Sequence, residues 1–249
     1  MTIDASAVTR RNLLRTLSAA SCGAVTIPFF SKPATAQAAP RAAAAPRPSH
    51  ATSDGAERPM SYAPLEAHRV AILFADLQTG IIERSATNDL AHLRRAVGAL
   101  AKLAHLLEIP VIVTTAPSDG GPIVTAEIAA ALGSLPQYAR TTTDAFTHAP
   151  TRDAIVKTRR KTLLVAGVAT EIIVQHSALS GVTRGYQVQV VVDACGGLSP
   201  RTEDAAFGRL IEAGVITTSI ASIAGQLAGD FTTPKGAATL AVLYEMASG

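Results

Sequence analysis

The chain has 249 residues, 48% of them hydrophobic and 16% charged, which suits one domain with a substantial core. Its net charge of +3 would suit a nucleic-acid partner, but the charge is badly placed for one. Residues 1–38 carry Arg10, Arg11, Arg15 and Lys32 against Asp4 alone, and basic and acidic residues balance over the rest, so no cationic footprint for nucleic acid is left.

"TRRNLLRTLSAASCGAVTIPFFSKPATAQA" has paired arginines, an apolar stretch and small residues ending in Ala36-Gln37-Ala38. That order predicts a cleavable signal over residues 1–38, and the Arg10-Arg11 pair points to the twin-arginine export machinery and a periplasmic or secreted destination. An ordinary secretory signal is the alternative. Residues 39–64, rich in Ala, Pro and small polar groups, read as a flexible tether, and the domain is expected over 65–249. Nothing after the leader approaches the ~18 continuous apolar residues of a membrane helix, so no membrane span is expected in the mature chain. Loss of Cys22 with the leader would leave Cys195 as the one thiol, with no internal disulfide. The scattered histidines give no ligand spacing, and neither metal nor cofactor is expected.

From Leu65 onward the pattern alternates. Strands are predicted at 69–77, 109–115, 162–168, 187–194 and 215–220. Helices are predicted at 88–107, 124–132, 151–160, 171–183 and 201–213. The first helix shows Leu90, Leu93, Val97, Leu100 and Leu103 on one face, with Asn88 or Asp89 as its cap. The C-terminal "KGAATLAVLYEMAS" either covers the core or docks a neighbour. Short continuous apolar strands between helices imply an α/β fold, a three-layer α/β/α sandwich around a parallel sheet. Ligands of such sheets bind outside the carboxyl ends of the strands, which selects Asp76, Thr114, Thr115, the 167–173 turn and 193–197.

Asp76 ends the first strand among apolar residues, where its pKa can rise toward proton-transfer chemistry, or it fixes a loop. Arg140, in "YARTTTDAF", either pairs with Asp76, grips a substrate carboxylate or lies on the surface. Glu171 opens a helix and complements its dipole. His176 and Ser177 follow inside that helix with no evident base beside them. Cys195 reads as a small buried apolar residue.

The segments "AILFADLQTGII", "IPVIVTTA", "ARTTTDAF", "LLVAGVATEIIVQHSAL", "GYQVQVVVDACGG" and the helix near "RTEDAAF" occur in an order and spacing that resembles the isochorismatase-like cysteine hydrolase superfamily, above all its YcaC-like subgroup. The resemblance covers roughly residues 65–225 and implies a Rossmann-like sandwich and, commonly, a homo-oligomer. It places the catalytic acid on Asp76 and the cation on Arg140, and it puts Ile173 where the family carries its nucleophilic cysteine. It also implies a cis peptide between Val168 and Ala169, an oxyanion-hole turn at Ala169 and Ile173, and substrate contacts from Gln78, Phe146, Ala169 and Ile173. Gln78 stands where nicotinamidases carry a metal-binding histidine, so no metal is implied.

Isoleucine has no lone pair, so covalent thiol chemistry is closed at position 173. Three readings remain for a small-molecule pocket around Asp76 and Arg140. The first is thiol-independent hydrolysis with Asp76 as general acid/base. The second is a catalytically silent binder or oligomeric scaffold. The third is a substitute thiol at Cys195.

Overall fold

A computed structural model describes residues 64–118 and 123–248. The signal expected at 1–38, and all of the expected tether except Pro64, lie outside the described residues.

Among the described residues the chain forms a six-stranded sheet in the order β3-β2-β1-β4-β5-β6. The strands are β1 (Val70–Ala75), β2 (Val111–Thr115), β3 (Gln137–Ala139), β4 (Thr162–Val168), β5 (Gln187–Gly196) and β6 (Ile216–Thr218). Every neighbouring pair is parallel. Seven α-helices accompany them: α1 (Leu90–Leu106), α2 (Ala126–Leu132), α3 (Ala149–Lys157), α4 (Gln175–Thr183), α5 (Pro200–Glu212), α6 (Ile220–Ala228) and α7 (Pro234–Ser248). The expected α/β sandwich is what forms.

All six residues of β1 and all seven of β4 are buried, because both faces of the sheet are covered. Along β1, Val70, Ile72 and Phe74 pack with α1, α2 and α6, while Ala71, Leu73 and Ala75 pack with α3, α4 and α5. Helix α1 buries Leu93, Val97, Leu100 and Leu103 as predicted; Leu90, at its first turn, stays 37% exposed. Asp89 caps this helix by accepting from the His92 amide. Helix α7 lays Val242, Leu243 and Met246 against the same side of the core and leaves Tyr244 exposed, so the C-terminal segment does cover the core.

Three features depart from expectation. The edge strand β3 was not anticipated, because its three residues carry no apolar run and only Tyr138 is half-buried. The predicted strand at 215–220 stops at Thr218, since Ser219 caps α6 by accepting from the Ser222 amide and Ile220 turns into the core. Between β4 and α4, residues Thr170–Val174 form one π-helical turn, so the regular helix begins at Gln175 rather than Glu171.

The β4–β5 register jumps. Val165 pairs with Val190, but Gly167 pairs with Cys195, so β5 bulges across 191–194. The bulge lets Ala194 pack on the α1 side and Cys195 on the α4 side. It also carries the Asp193 carboxylate to the first amide of α6, at Ile220 (3.1 Å).

Chain order reverses between β1 and β4: β2 and β3 continue to one side, β5 and β6 to the other. That switch point opens a crevice beyond the strand ends. A Cβ built at Gly167 would lie 2.3 Å from the Ala75 carbonyl oxygen, so only glycine lets these two central strands approach so closely there.

Candidate active site

Beyond β1 and β4 lies a cavity of about 390 Å³. Asp76 and Arg140 line it together with Val168, Ala169, Ile172 and Ile173, and Ile81, Arg84, Ala116, Pro117, Thr141, Thr142, Thr143 and Leu198 complete its walls. Asp76, at the end of β1, and Arg140, after β3, reach the cavity from one side of the switch point, and Val168, Ala169, Ile172 and Ile173 reach it from the β4 side.

The β1 strand ends abruptly because Asp76 adopts a left-handed backbone (φ 58), a conformation that aspartate tolerates better than most residues. Its amide donates to the Thr114 carbonyl, and its own carbonyl accepts from the Gln78 amide, which closes a tight turn. The side chain is thereby held at the cavity floor, with the residue only 4% exposed. One carboxylate oxygen, Oδ1, accepts from the Thr114 hydroxyl (2.9 Å), and the other, Oδ2, pairs with Arg140 Nη2. Burial pushes the Asp76 carboxyl above its ordinary value, while the Arg140 charge and the Thr114 hydroxyl pull it part of the way back.

Arg140 follows β3, and its amide donates to the Thr115 carbonyl. Its guanidinium also donates from Nη1 to the Thr142 carbonyl, and its buried Nε has no partner among the described residues. The loop carrying it is anchored from α4. Asp144 accepts from the Phe146 amide and from the Ser180 hydroxyl (2.6 Å), and Ser177 accepts from the Ala145 amide. Ser177 is thus an anchor for this loop and is not placed as a nucleophile.

Val168–Ala169 is a cis peptide, as the resemblance implied. It delivers the chain into the π-helical turn, and Ile173 from that turn both lines the cavity and packs into the core at 1% exposure. Ile173 therefore occupies the nucleophile position as a packed apolar side chain. Ile172 beside it is 42% exposed at the mouth, across from Leu198 at 50%.

Two expected substrate contacts are not on the cavity wall. The Gln78 amide group is fully employed elsewhere: Nε2 donates to the Ala116 carbonyl and the Ser118 hydroxyl, and Oε1 accepts from the Ala116 amide. Gln78 braces the segment after β2 and is fully buried. Phe146 turns into the core on the α4 side, against Tyr186, with the Arg184 guanidinium 5.1 Å from its ring centre. The apolar environment of the sheet flank claims the ring before any ligand can.

The other candidates scatter. Thr114 reaches Asp76, whereas Thr115 is buried with its hydroxyl unpartnered among the described residues. Glu171 accepts from the Leu198 amide and the Thr202 hydroxyl. Burial pushes its carboxyl up, but those donors hold it below its ordinary value. Half-buried His176 is not part of the wall. Cys195 is 1% exposed in the core, and burial pushes its thiol far above the ordinary range. A substitute nucleophile there is ruled out by its position.

The mouth is built by Ile172, from the 167–173 turn already selected, and by three residues that the sequence pattern did not single out: Ile81, Arg84 and Leu198. Segment 86–88 is clasped to the end of β5. The Ala86 amide donates to the Gly197 carbonyl, the Gly197 amide to the Thr87 hydroxyl, and Asn88 Nδ2 to the carbonyls of Asp193 and Cys195. Asp76 is the one metal-ligand-type side chain on the wall among the described residues, and it is committed to Arg140.

Comparison with known proteins places these features in a family. An isochorismatase domain model matches residues 70–222. The probable hydrolase YcaC of Escherichia coli (strain K12) is 32% identical over 183 residues, 72% of this chain and 88% of the relative. Isochorismatase domain-containing protein 2 of Bos taurus is 32% identical over 139 residues, 55% of this chain and 65% of the relative. Among solved structures, the YcaC gene product of Escherichia coli, an octameric hydrolase of unknown specificity, superposes with a TM-score of 0.70 at 29% identity, covering 74% of this chain and 91% of that one. YcaC from Pseudomonas aeruginosa, solved with hexane-2,5-diol and covalent acrylamide, gives a TM-score of 0.69 at 30% identity, covering 75% and 95%. With the fold, the switch-point crevice and the matched domain in agreement, the chain belongs to the isochorismatase family, within the YcaC-like subgroup of the cysteine hydrolase superfamily.

Proposed function

We propose that this protein is a small-molecule hydrolase that works without a thiol, with Asp76 as general acid/base and Arg140 holding it in place. One observation carries the reading: a buried carboxylate, raised above its ordinary value by burial, faces an apolar cavity from a left-handed backbone. Buried ionic groups and left-handed non-glycine residues both cost stability, and they concentrate where chemistry needs them. In its protonated form such a carboxyl donates to an acid-labile bond such as a vinyl ether. Water then adds to the resulting oxocarbenium ion and returns its proton to the carboxylate. The hemiketal so formed collapses: its C–O bond breaks, the hydroxyl proton passes to the departing alcohol, and a carbonyl is left. The apolar walls strengthen the interactions of Asp76 with developing charge.

A second reading, a silent ligand-binding relative, draws on a different observation: both Asp76 oxygens already have partners and Ile173 fills the nucleophile position. Turnover of a panel of small vinyl ethers, esters and amides separates the two. Under the hydrolase reading, wild type turns over at least one of them and Asp76→Asn loses about 10²-fold or more. A wild type that is inert on the whole panel, beside an Ile173→Cys variant that acquires esterase turnover, establishes the silent reading instead.

Export and assembly belong to the same proposal. The paired arginines of the leader support twin-arginine export, and an Arg10→Lys/Arg11→Lys variant retained in the cytoplasmic fraction is the expected result. The octameric state of the Escherichia coli YcaC structure supports a homo-oligomer here, read by light scattering of the purified chain.

A further inference from the structure

We infer that Arg84 sets ligand choice at this cavity and selects a small monoanion, a carboxylate or similar oxyanion on a compact apolar body. The inference rests on reading the cavity as the ligand pocket.

Charge balance supplies the first argument. Among the described residues the ionisable side chains on the wall are Asp76, Arg140 and Arg84. Asp76 and Arg140 neutralise each other as a buried pair, which leaves the pocket with the single positive charge of Arg84.

Local structure keeps that charge available. Arg84 ends a short 3₁₀ turn, Ile82–Arg84, and its Nε donates to the Gly80 carbonyl (3.0 Å). The adjacent acid is diverted: Glu83 accepts from the Gly80 amide (2.7 Å) through one oxygen and pairs with Arg94 (2.6 Å) through the other. No carboxylate among the described residues pairs with Arg84. With Nε taken, the two terminal amino groups present the end-on fork that matches a carboxylate.

The rest of the wall specifies the body of the ligand. Apart from the threonines at 141–143 it is apolar, with Ile81, Ile172, Ile173 and Leu198 its largest side chains, and a cavity of about 390 Å³ suits a single ring or short chain.

The test is calorimetric titration of the full chain with benzoate and with benzamide, its uncharged analogue of nearly equal shape. Wild type is expected to bind benzoate about tenfold more tightly than benzamide, as an assisted ion pair at a partly apolar rim provides. Arg84→Gln should abolish that preference and leave benzamide affinity unchanged, and Arg84→Lys should restore part of it. Because Arg84 is exposed, the fold should survive both changes, with circular dichroism as the check. A benzoate preference that survives Arg84→Gln overturns the inference, as does wild type binding benzamide as well as benzoate or binding neither. No turnover is read, so a chain that selects benzoate through Arg84 while hydrolysing nothing upholds this inference and rejects the hydrolase reading alone.

Discussion

Replacing Arg140 by methionine keeps length and removes charge, and it isolates the coupling between the two buried ionic groups. The side chains of Arg140 and Asp76 are 4% and 6% exposed, so neither can recruit bulk water if its partner goes. Coulomb attraction at contact, with an effective dielectric of about 20, is about 4 kcal/mol. That agrees with the roughly 3–5 kcal/mol seen when one partner of a buried pair is removed. The loss depends on pH with a definite sign. Asp76 already has a folded pKa above its unfolded value, and removing the cation raises it further. A carboxyl of this kind contributes stability that is fully present below its unfolded pKa of about 3.9 and is lost as pH rises through the folded pKa. The variant should therefore be about 3–5 kcal/mol less stable than wild type at pH 8, with the gap closing to about 1 kcal/mol as pH falls to about 3, below the unfolded pKa, where Asp76 is largely protonated in the folded and the unfolded chain alike. At roughly 2–4 °C per kcal/mol for a domain of this size, the difference is easily measured thermally. Urea unfolding followed by far-UV circular dichroism is the assay, since the chain has no tryptophan. A stability gap that is the same at pH 3 and pH 8 would refute the coupling.

Three further outcomes follow from the packing. Peptide mapping after treatment with a thiol reagent at pH 8 should find Cys195 unmodified in the native protein and modified in urea; native labelling would contradict its burial. Gly167→Ala should cost roughly 3 kcal/mol or more, or abolish soluble expression, because the new methyl meets the Ala75 carbonyl; a change below about 0.5 kcal/mol in melting would show that the strands separate freely. Ser177→Ala leaves the buried Ala145 amide without its acceptor, so a loss of about 1–3 kcal/mol is expected, and a neutral result would deny that α4 anchors the Arg140 loop.

How much of this was legible beforehand differs from element to element. Strands β1 and β4 announce themselves because both faces are covered and the apolar run is unbroken. Strand β3 has no such signature: β2 pairs with it at the sheet edge, and nothing local marks "QYA" as extended. Helix α6 did carry a signal, with Ser219 as cap and Ile220, Ile223, Ala224 and Leu227 on one face, but the β-branched run before it drew the strand too far. At the site, Asp76 and Arg140 were readable as the ends of a strand and of a loop beside it. Gln78 and Phe146 were not, because the direction of each side chain is decided by a third segment: the chain after β2 for one, the α4 flank for the other. Arg84 had only the faint signal of a cation closely following the acid at the end of β1.

The clasp between segment 86–88 and the end of β5 has an evolutionary consequence. Arg84 and Ile81 precede one half of it and Leu198 follows the other, so the two halves of the mouth are spliced through four hydrogen bonds. Neither loop can drift alone without stripping partners from the other. A graft of residues 80–88 from a relative should fail unless residues 193–198 travel with it, so in this chain the two loops form one matched unit to exchange when a new ligand is sought.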